Sequence, residues 1–321
     1  MKKNVLLSVV IPCFNNADYV YDCLKSIPIT ERIEVIIVND GSTDKSVSEV
    51  HRFMTEHESV AKNILLINKT NQGVSIARNT GIEISTGKYI TFLDADDLWS
   101  TKLWGAVEPV LLNSQPDMII YNASRFYDDN KSDFSPLTIT KLENGYHKIN
   151  NINDLSGVFQ ANGWFAWCRV YKKEIFEKIK FPENREYEDL AIIPIITMNV
   201  KSIFSISDAL VLYRSRANSI TKIPKAKHID DIIHAMELLY YSFLNSGNDK
   251  ATKQILSKTM QHEYGLLRSV NKKVNGYCYF TIEQRKKIKM LLNPFQHNFK
   301  LSLRVKAVFI DQYSSIAKRW H

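Results

Sequence analysis

The chain has 321 residues, 45% hydrophobic and 24% charged, with 42 Lys+Arg against 34 Asp+Glu for a net charge of +8. That composition excludes a disordered or fibrous chain and leaves room for two domains, or for one α/β domain with an appendage. No apolar run reaches the roughly 18 residues of a membrane span, and Cys13, Cys23, Cys168 and Cys278 lie too far apart for a metal site, which points to free thiols in a reducing compartment.

Met1-Lys2-Lys3 before an apolar run mimics a signal peptide, but no small-residue cleavage site follows. Val5 to Ile11 is therefore expected to be a first strand, stopped by Pro12 and followed by the polar loop Phe14-Asn15-Asn16. Tyr19, Val20, Cys23, Leu24 and Ile27 have helical spacing. Glu34 to Val38 reads as a second strand, ending in Asn39-Asp-Gly-Ser-Thr-Asp44, and Val47, Val50 and Phe53 mark a second helix. Asn63 to Ile67 is a third strand. The stretch from Gln72 to Gly81 opens as a turn and becomes a helix that ends near Gly87. Tyr89 to Leu93 is a fourth strand. Continuous apolar strands alternating with helices imply an α/β fold with a mostly parallel, Rossmann-like sheet sandwiched by helices. Its ligand site is expected outside the carboxyl ends of the strands, where loops 12–16, 39–44 and 94–97 all fall.

Further along, Asp117 to Tyr121 suggests another strand, and 127–155 a polar, irregular insertion. The aromatic run Gly163 to Tyr171 precedes a basic helix expected from Lys172 to Lys180. Glu186-Tyr-Glu-Asp189 leads into an apolar helix, Leu190 to Val200, and Ile203 to Tyr213 is a last strand. Then the pattern changes. A helical stripe runs from Ile229 to Phe243, a second helix carries Leu256 to Leu267, and Thr281 to Gln284 forms a capping box. A fourth helix is suggested by Leu301, Val305, Val308, Ile316 and Trp320, beside Lys300, Arg304 and Lys306. The division expected is a nucleotide-binding and catalytic domain over 1–221 and a basic helical C-terminal region over 222–321. The first holds 24 basic and 27 acidic residues, the second 18 and 7, so the positive charge belongs to the last third.

The fourth strand runs into Asp94, Asp96 and Asp97, and carboxylates at the end of a buried strand need a cationic partner. In extended chain Asp94 and Asp96 share one face. Two hard oxygen ligands there suit a divalent cation holding substrate phosphates. The competing reading is an Asp-rich cap on a helix opened by Leu98-Trp99. Asp40 could accept the imide N–H of a pyrimidine base or simply make a turn. Arg78 could meet a base or a phosphate, or make a surface salt bridge.

The ordered motifs Val9 to Asn16, Asn39 to Asp44, Asn71-Gln-Gly-x-x-x-Ala-Arg-Asn-x-Gly81 and Phe92 to Asp97 resemble those of the family-2 glycosyltransferases. Glu188-Asp189 and Tyr213-Arg-x-Arg-x-x-Ser-Ile-Thr221 continue the likeness. The resemblance covers roughly 5–221. It implies the A-type nucleotide-sugar fold, a nucleotide-sugar donor (a UDP-sugar is expected) and transfer with inversion to a glycan or lipid-linked acceptor in surface-polysaccharide synthesis. By the same likeness Pro12, Phe14, Asn15, Asp40, Arg78, Asp94, Ala95 and Asp96 bind the nucleotide sugar. Asp94 and Asp96 hold Mn²⁺ or Mg²⁺, and Asp189 is the general base. The motif and membrane helices of the processive members are missing, which favours single additions.

Arg214 and Arg216 could clamp the diphosphate or lie on the surface. Trp164 and Trp167 could line an acceptor sugar, although aromatic clusters are more often core. The basic tail suits an anionic membrane surface, placing a cytoplasmic enzyme at the inner face of the plasma membrane, or is a bundle with a solvated basic face. Nucleic acid is not expected, because no recognition motif accompanies the charge. Two other functions compete. A sugar nucleotidyltransferase would carry a Gly-rich loop where Phe14-Asn15-Asn16 stands, and a non-catalytic assembly subunit would not need Asp40, Asp94, Asp96 and Asp189 all intact.

Overall fold

The computed structural model describes residues 5–127, 134–216 and 223–312. Its first half contains β1 (Leu7–Cys13), α1 (Val20–Ser26), β2 (Ile33–Asp40), α2 (Ser46–Glu56), α3 (Glu58–Ala61), β3 (Ile64–Lys69), α4 (Val74–Ile84), β4 (Tyr89–Phe92), β5 (Leu98–Trp99), α5 (Leu103–Asn113) and β6 (Met118–Tyr127). There follow β7 (Ser135–Leu137), β8 (Gly145–Lys148), α6 (Ser156–Ala161), β9 (Arg169–Lys172), α7 (Glu188–Asn199) and β10 (Ser202–Ser215). The helices α8 (Lys227–Asn245), α9 (Lys250–Asn275), α10 (Ile282–Leu292) and α11 (Leu301–Val308) come last. Two compact units emerge. One joins Met1–Ile149, Phe165–Arg185 and Val200–Arg216; the other joins Asn150–Trp164, Glu186–Asn199 and Ala217–His321.

The first unit is built on one sheet, in the order β3-β2-β1-β4-β9-β6-β10-β5, with β7 beside β6 and β8 beside β10. β3, β2, β1 and β4 are parallel. β9 is antiparallel to both β4 and β6, which returns β6 and β10 to the direction of β1. The carboxyl ends of β1, β2, β4 and β10 therefore share one edge. Because β2 and β3 spread to one side of β1 and β4 to the other, the order reverses between β1 and β4, and a crevice opens at that point. β1 and β4 are buried along their whole length, as their continuous apolar sequences demand. Helix α4 lies unusually close on β1: a Cβ at Gly81 would stand 2.2 Å from Val10 Cγ1, so only glycine fits there.

Several expectations need correcting. Pro12 does not stop β1, which continues to Cys13 opposite Asn39. The even-numbered residues of β1 face β4, since Leu93 N–H donates to Val10 O, and β4 ends at Phe92. The N–H that Pro12 lacks would therefore have met no strand. Leu98-Trp99 opens no helix but pairs as β5 with Val211 and Leu212 of β10, which removes the capping alternative for Asp96 and Asp97. The insertion over 127–155 contains two short strands, β7 and β8. The helix expected over 172–180 shrinks to a 3₁₀ stretch, Lys173–Glu177. There Phe176 and Phe181 pack edge-on against Phe92. Asn79 also holds the backbone of Phe181 through both its N–H (3.0 Å) and its C=O (2.9 Å).

In the second unit α7 is apolar on every side and largely buried, as a helix without a polar face must be. The Thr281–Gln284 capping box forms as expected. The apolar stripe of α11 does not pack inward. Leu301, Val305 and Val308 are exposed, and Ala307 and Ile310 face the interior instead. Ile316, Trp320 and Ser219-Ile-Thr221 lie outside the described residues.

Candidate active site

The carboxyl edge of the sheet collects one dense group of charges. After β4 the chain does not stay extended: Asp97 N–H donates to Asp94 O at 2.9 Å, closing a turn over Asp94 to Asp97. Asp94 and Asp96 therefore meet different partners instead of sharing a strand face. Asp94 Oδ1 accepts from Arg78 Nη2 at 3.1 Å. The Arg78 side chain is 3% exposed, not on the surface, and its guanidinium lies 5.2 Å from the ring centre of Phe181. Asp96 Oδ2 pairs with Arg216 at 2.6 Å, and Arg216 Nη1 also donates to Asn16 Oδ1. Arg214 secures the turn through Nε to Asp96 O (2.7 Å) and its own N–H to Asp97 Oδ1 (2.8 Å). Both arginines lie over the ring of Tyr19.

Three guanidinium groups face three carboxylates here, yet they do not offset the effect of burial. Burial, and then the neighbouring charge of Asp94, push the Asp96 carboxyl up to about 6 against the pull of Arg216 and Arg214. Asp97, fully buried, is pushed well above the ordinary carboxylate range, first by burial and then by Asp96 and Asp94. Its Oδ2 has no partner among the described residues. A buried carboxylate oxygen without a donor is costly, by about 1–3 kcal/mol, so this corner favours an added cation.

Asp40 has a second occupation. It is 3% exposed. Oδ1 accepts from Lys69 Nζ (2.7 Å) and Gln72 N–H (3.0 Å), and Oδ2 from Gly73 N–H (2.7 Å). It thereby ties the start of α4 to the end of β2. The neighbouring Gly41, at φ +75°, lets this loop come close, since a Cβ there would stand 2.7 Å from Asn71 N. Asn15, at φ +52°, accepts from Thr43 N–H, and its own N–H donates to Ser42 Oγ. Asp44 accepts from the N–H groups of Ser46 and Ala17. Although partial burial works to raise it, the Ser46 hydroxyl and then these N–H groups hold its carboxyl below the usual range. Loops 12–17, 39–46 and 70–73 are thus joined by hydrogen bonds, with Phe14 47% exposed; Ala95 is buried.

The remaining candidates divide between the two units. Trp167 is buried, stacked parallel on Tyr213 at 5.4 Å. Trp164 is buried in the second unit against Phe159. Both occupy interior positions. Asp189 also belongs to the second unit, half-buried in the first turn of α7 behind the buried Glu188. Just before them Tyr187 has φ +61°, a strained conformation for an aromatic residue worth about 1–3 kcal/mol. Glu186 is held by Lys227 at 2.9 Å and by the fully buried His228. Because His228 Nδ1 accepts from Lys225 N–H, its Nε2 carries the proton toward Glu186. Sequence reasoning overlooked Asn79, Lys69, Asn16 and Tyr19 as parts of these networks. Asn79 carried a signal in its motif, whereas Tyr19 read simply as a helix-packing residue.

Residues 8–180, just over half of the chain, match the model of the family described as Glycosyl transferase family 2. The chain belongs to that family. Glycosyltransferase GlyA of Streptococcus pneumoniae is 28% identical over 72% of this chain, which covers only 33% of that longer protein. GlyG of the same organism is 28% identical over 68% of this chain and 73% of its own length. Minor teichoic acid biosynthesis protein GgaB of Bacillus subtilis is 28% identical over 70% of this chain and 24% of its own. Among solved structures, TarS 1–349 of S. aureus superposes with a TM-score of 0.74 at 16% identity, over 98% of this chain and 91% of that one. The fold is thus the A-type glycosyltransferase fold with a C-terminal helical region. The family match ends before Asp189, Arg214 and Arg216.

Proposed function

We propose that this family-2 glycosyltransferase transfers a single sugar, with inversion, from a nucleotide-diphosphate sugar to a hydroxyl of a glycan or lipid-linked acceptor in surface-polysaccharide synthesis. The observation that carries the reading is the charged group at the β1–β4 crevice, where Asp94, Asp96, Arg78, Arg214 and Arg216 converge. A uridine nucleotide is the preferred donor, in keeping with TarS of S. aureus, which has been crystallised with UDP-GlcNAc and with UDP.

A divalent cation fits the residues present. Among the described residues no three His, Cys, Asp or Glu side chains are grouped to hold a metal. Two carboxylates, Asp94 and Asp96, are however enough for Mg²⁺ or Mn²⁺ when substrate phosphates and water complete the shell. Bound there, the cation would neutralise charge developing on the leaving diphosphate. The chain's own residues do the rest. Arg216 exchanges Asp96 for diphosphate oxygens as the donor enters, and Arg214 keeps the 94–97 turn in place. Arg78 fixes Asp94 from behind. Asp40 shapes the nucleotide side of the crevice through the loop it anchors. Asp189 takes the proton of the attacking hydroxyl. Such an enzyme works in the cytoplasm, at the inner face of the membrane where lipid-linked acceptors lie. The test is to incubate the protein with a panel of nucleotide sugars and candidate acceptors, following nucleoside diphosphate release and the anomeric configuration of the product. Retained configuration, or release from no donor in the panel with any acceptor, would count against the proposal.

A further inference from the structure

α11 presents an apolar face to solvent. At 3.6 residues per turn, positions 301, 305, 308 and 309 fall on one side of the helix. Those residues are exposed, Leu301 at 75%, Val305 at 36% and both Val308 and Phe309 at 47%. The opposite side, with Ala307 and Ile310, is buried and fastens the helix to the second unit. Tyr264 Oη on α9 adds to this by donating to Lys306 O at 3.0 Å. Arg304 flanks the exposed stripe on one side and Lys306 on the other, and Lys300 precedes it. Acidic residues are scarce, 7 against 18 basic ones over 222–321. Asp311, the acid next to the stripe, is paired with Arg285 and Lys289.

An apolar stripe edged by cations, on a helix held from behind, has the pattern of an element lying in a lipid headgroup layer. We propose that this face of α11 docks the protein on a membrane surface rich in anionic lipid, with Leu301, Val305, Val308 and Phe309 entering the headgroup boundary and Lys300, Arg304 and Lys306 meeting lipid phosphates. Charge complementarity selects this occupant: a second copy of the same basic face would repel itself, while an anionic surface gains from each cation. No helix among the described residues is long and apolar enough to cross a membrane, so the contact is a surface one. The proposal is independent of the sugar-transfer reading.

The test is co-sedimentation of the full-length protein with phosphatidylcholine vesicles, with and without about one third phosphatidylglycerol. Binding is expected only with the anionic lipid and should weaken as salt is raised. Replacing Lys300, Arg304 and Lys306 together by Gln should reduce partitioning roughly 100-fold. The double variant L301S/V308S should reduce it at least ~10-fold. Circular dichroism should show both variants folded, since Lys300, Leu301 and Val308 are exposed and Arg304 and Lys306 only half-buried. Binding that ignores lipid charge, or that survives both sets of substitutions, would overturn the assignment. So would sedimentation showing a dimer that L301S/V308S dissociates, which would give the face to a second copy.

Discussion

Asp40→Asn separates two ways in which one carboxylate can serve a nucleotide site. The Asp40 and Lys69 side chains are 5% and 14% exposed, and the carboxylate also receives two backbone N–H groups. Asparagine keeps one oxygen and puts an NH₂ in place of the other. The variant therefore loses the ion pair with Lys69 and sets a donor against one N–H. Hydrogen bonds to charged groups contribute about 1.5–3 kcal/mol, and a buried N–H left without an acceptor costs about 1–3 kcal/mol. Together these predict a loss of roughly 3 kcal/mol, a large share of a typical domain's stability. In urea unfolding the midpoint should fall by about 1 M or more. Because the loop 70–73 loosens as a whole, UDP and GDP affinities should fall together in calorimetry. An unchanged midpoint with a loss confined to uridine nucleotides would refute the anchoring role and make Asp40 a direct reader of the base.

Glu263 on α9 is fully buried, with neither carboxyl oxygen partnered among the described residues, and burial pushes it well above the usual carboxylate range. A carboxyl raised on folding loses stability as pH climbs past its unfolded value toward its folded one. Glu263→Met should therefore be the more stable protein by about 1–3 kcal/mol at pH 8, with a smaller gap at pH 5; an equal gap at both, read by denaturant unfolding, would contradict this. Arg216→Gln should bind Mn²⁺ without nucleotide roughly tenfold more tightly at pH 8, because the guanidinium no longer competes for Asp96. The comparison is made at pH 8 because the Asp96 carboxyl is pushed up to about 6 with Arg216 in place and rises further once that charge is gone; unchanged or weaker Mn²⁺ binding by paramagnetic resonance would remove Arg216 as a competitor. Asp189→Asn should leave donor affinity within a few-fold while turnover falls at least ~100-fold. Near-normal turnover at saturating substrates would leave Asp189 only its place as an acid in the first turn of α7 and move the search to Glu188 or Glu186.

The parallel core was legible because β1, β2 and β4 are buried on both faces and so read as unbroken apolar runs. The position of the crevice followed from where the polar loops fall along the chain. The turn at Asp94 was not legible, because alternation holds only while the chain stays extended, and β4 ends two residues before Asp94. Pro12 misled for a related reason: a missing N–H matters only where a neighbouring strand is present, and sequence does not reveal that β4 stops first. The shortened helix at 173–177 reflects a tertiary override, since the Asn79 clamp on Phe181 spans about a hundred residues. In α11 the spacing of the apolar residues marked the helix but left open which way they face. Periodicity identifies a face without saying which way it points.

The measurement that bears most directly on the central claim is calorimetric titration of a UDP-sugar into the full-length protein, with and without Mn²⁺, for the wild type and for Asp96→Asn. The β1–β4 crevice account predicts tight binding only with the cation in the wild type, and a loss of most of that cation dependence in the variant at unchanged thermal stability. Binding of equal strength with and without Mn²⁺, or full cation-dependent affinity in Asp96→Asn, would contradict it.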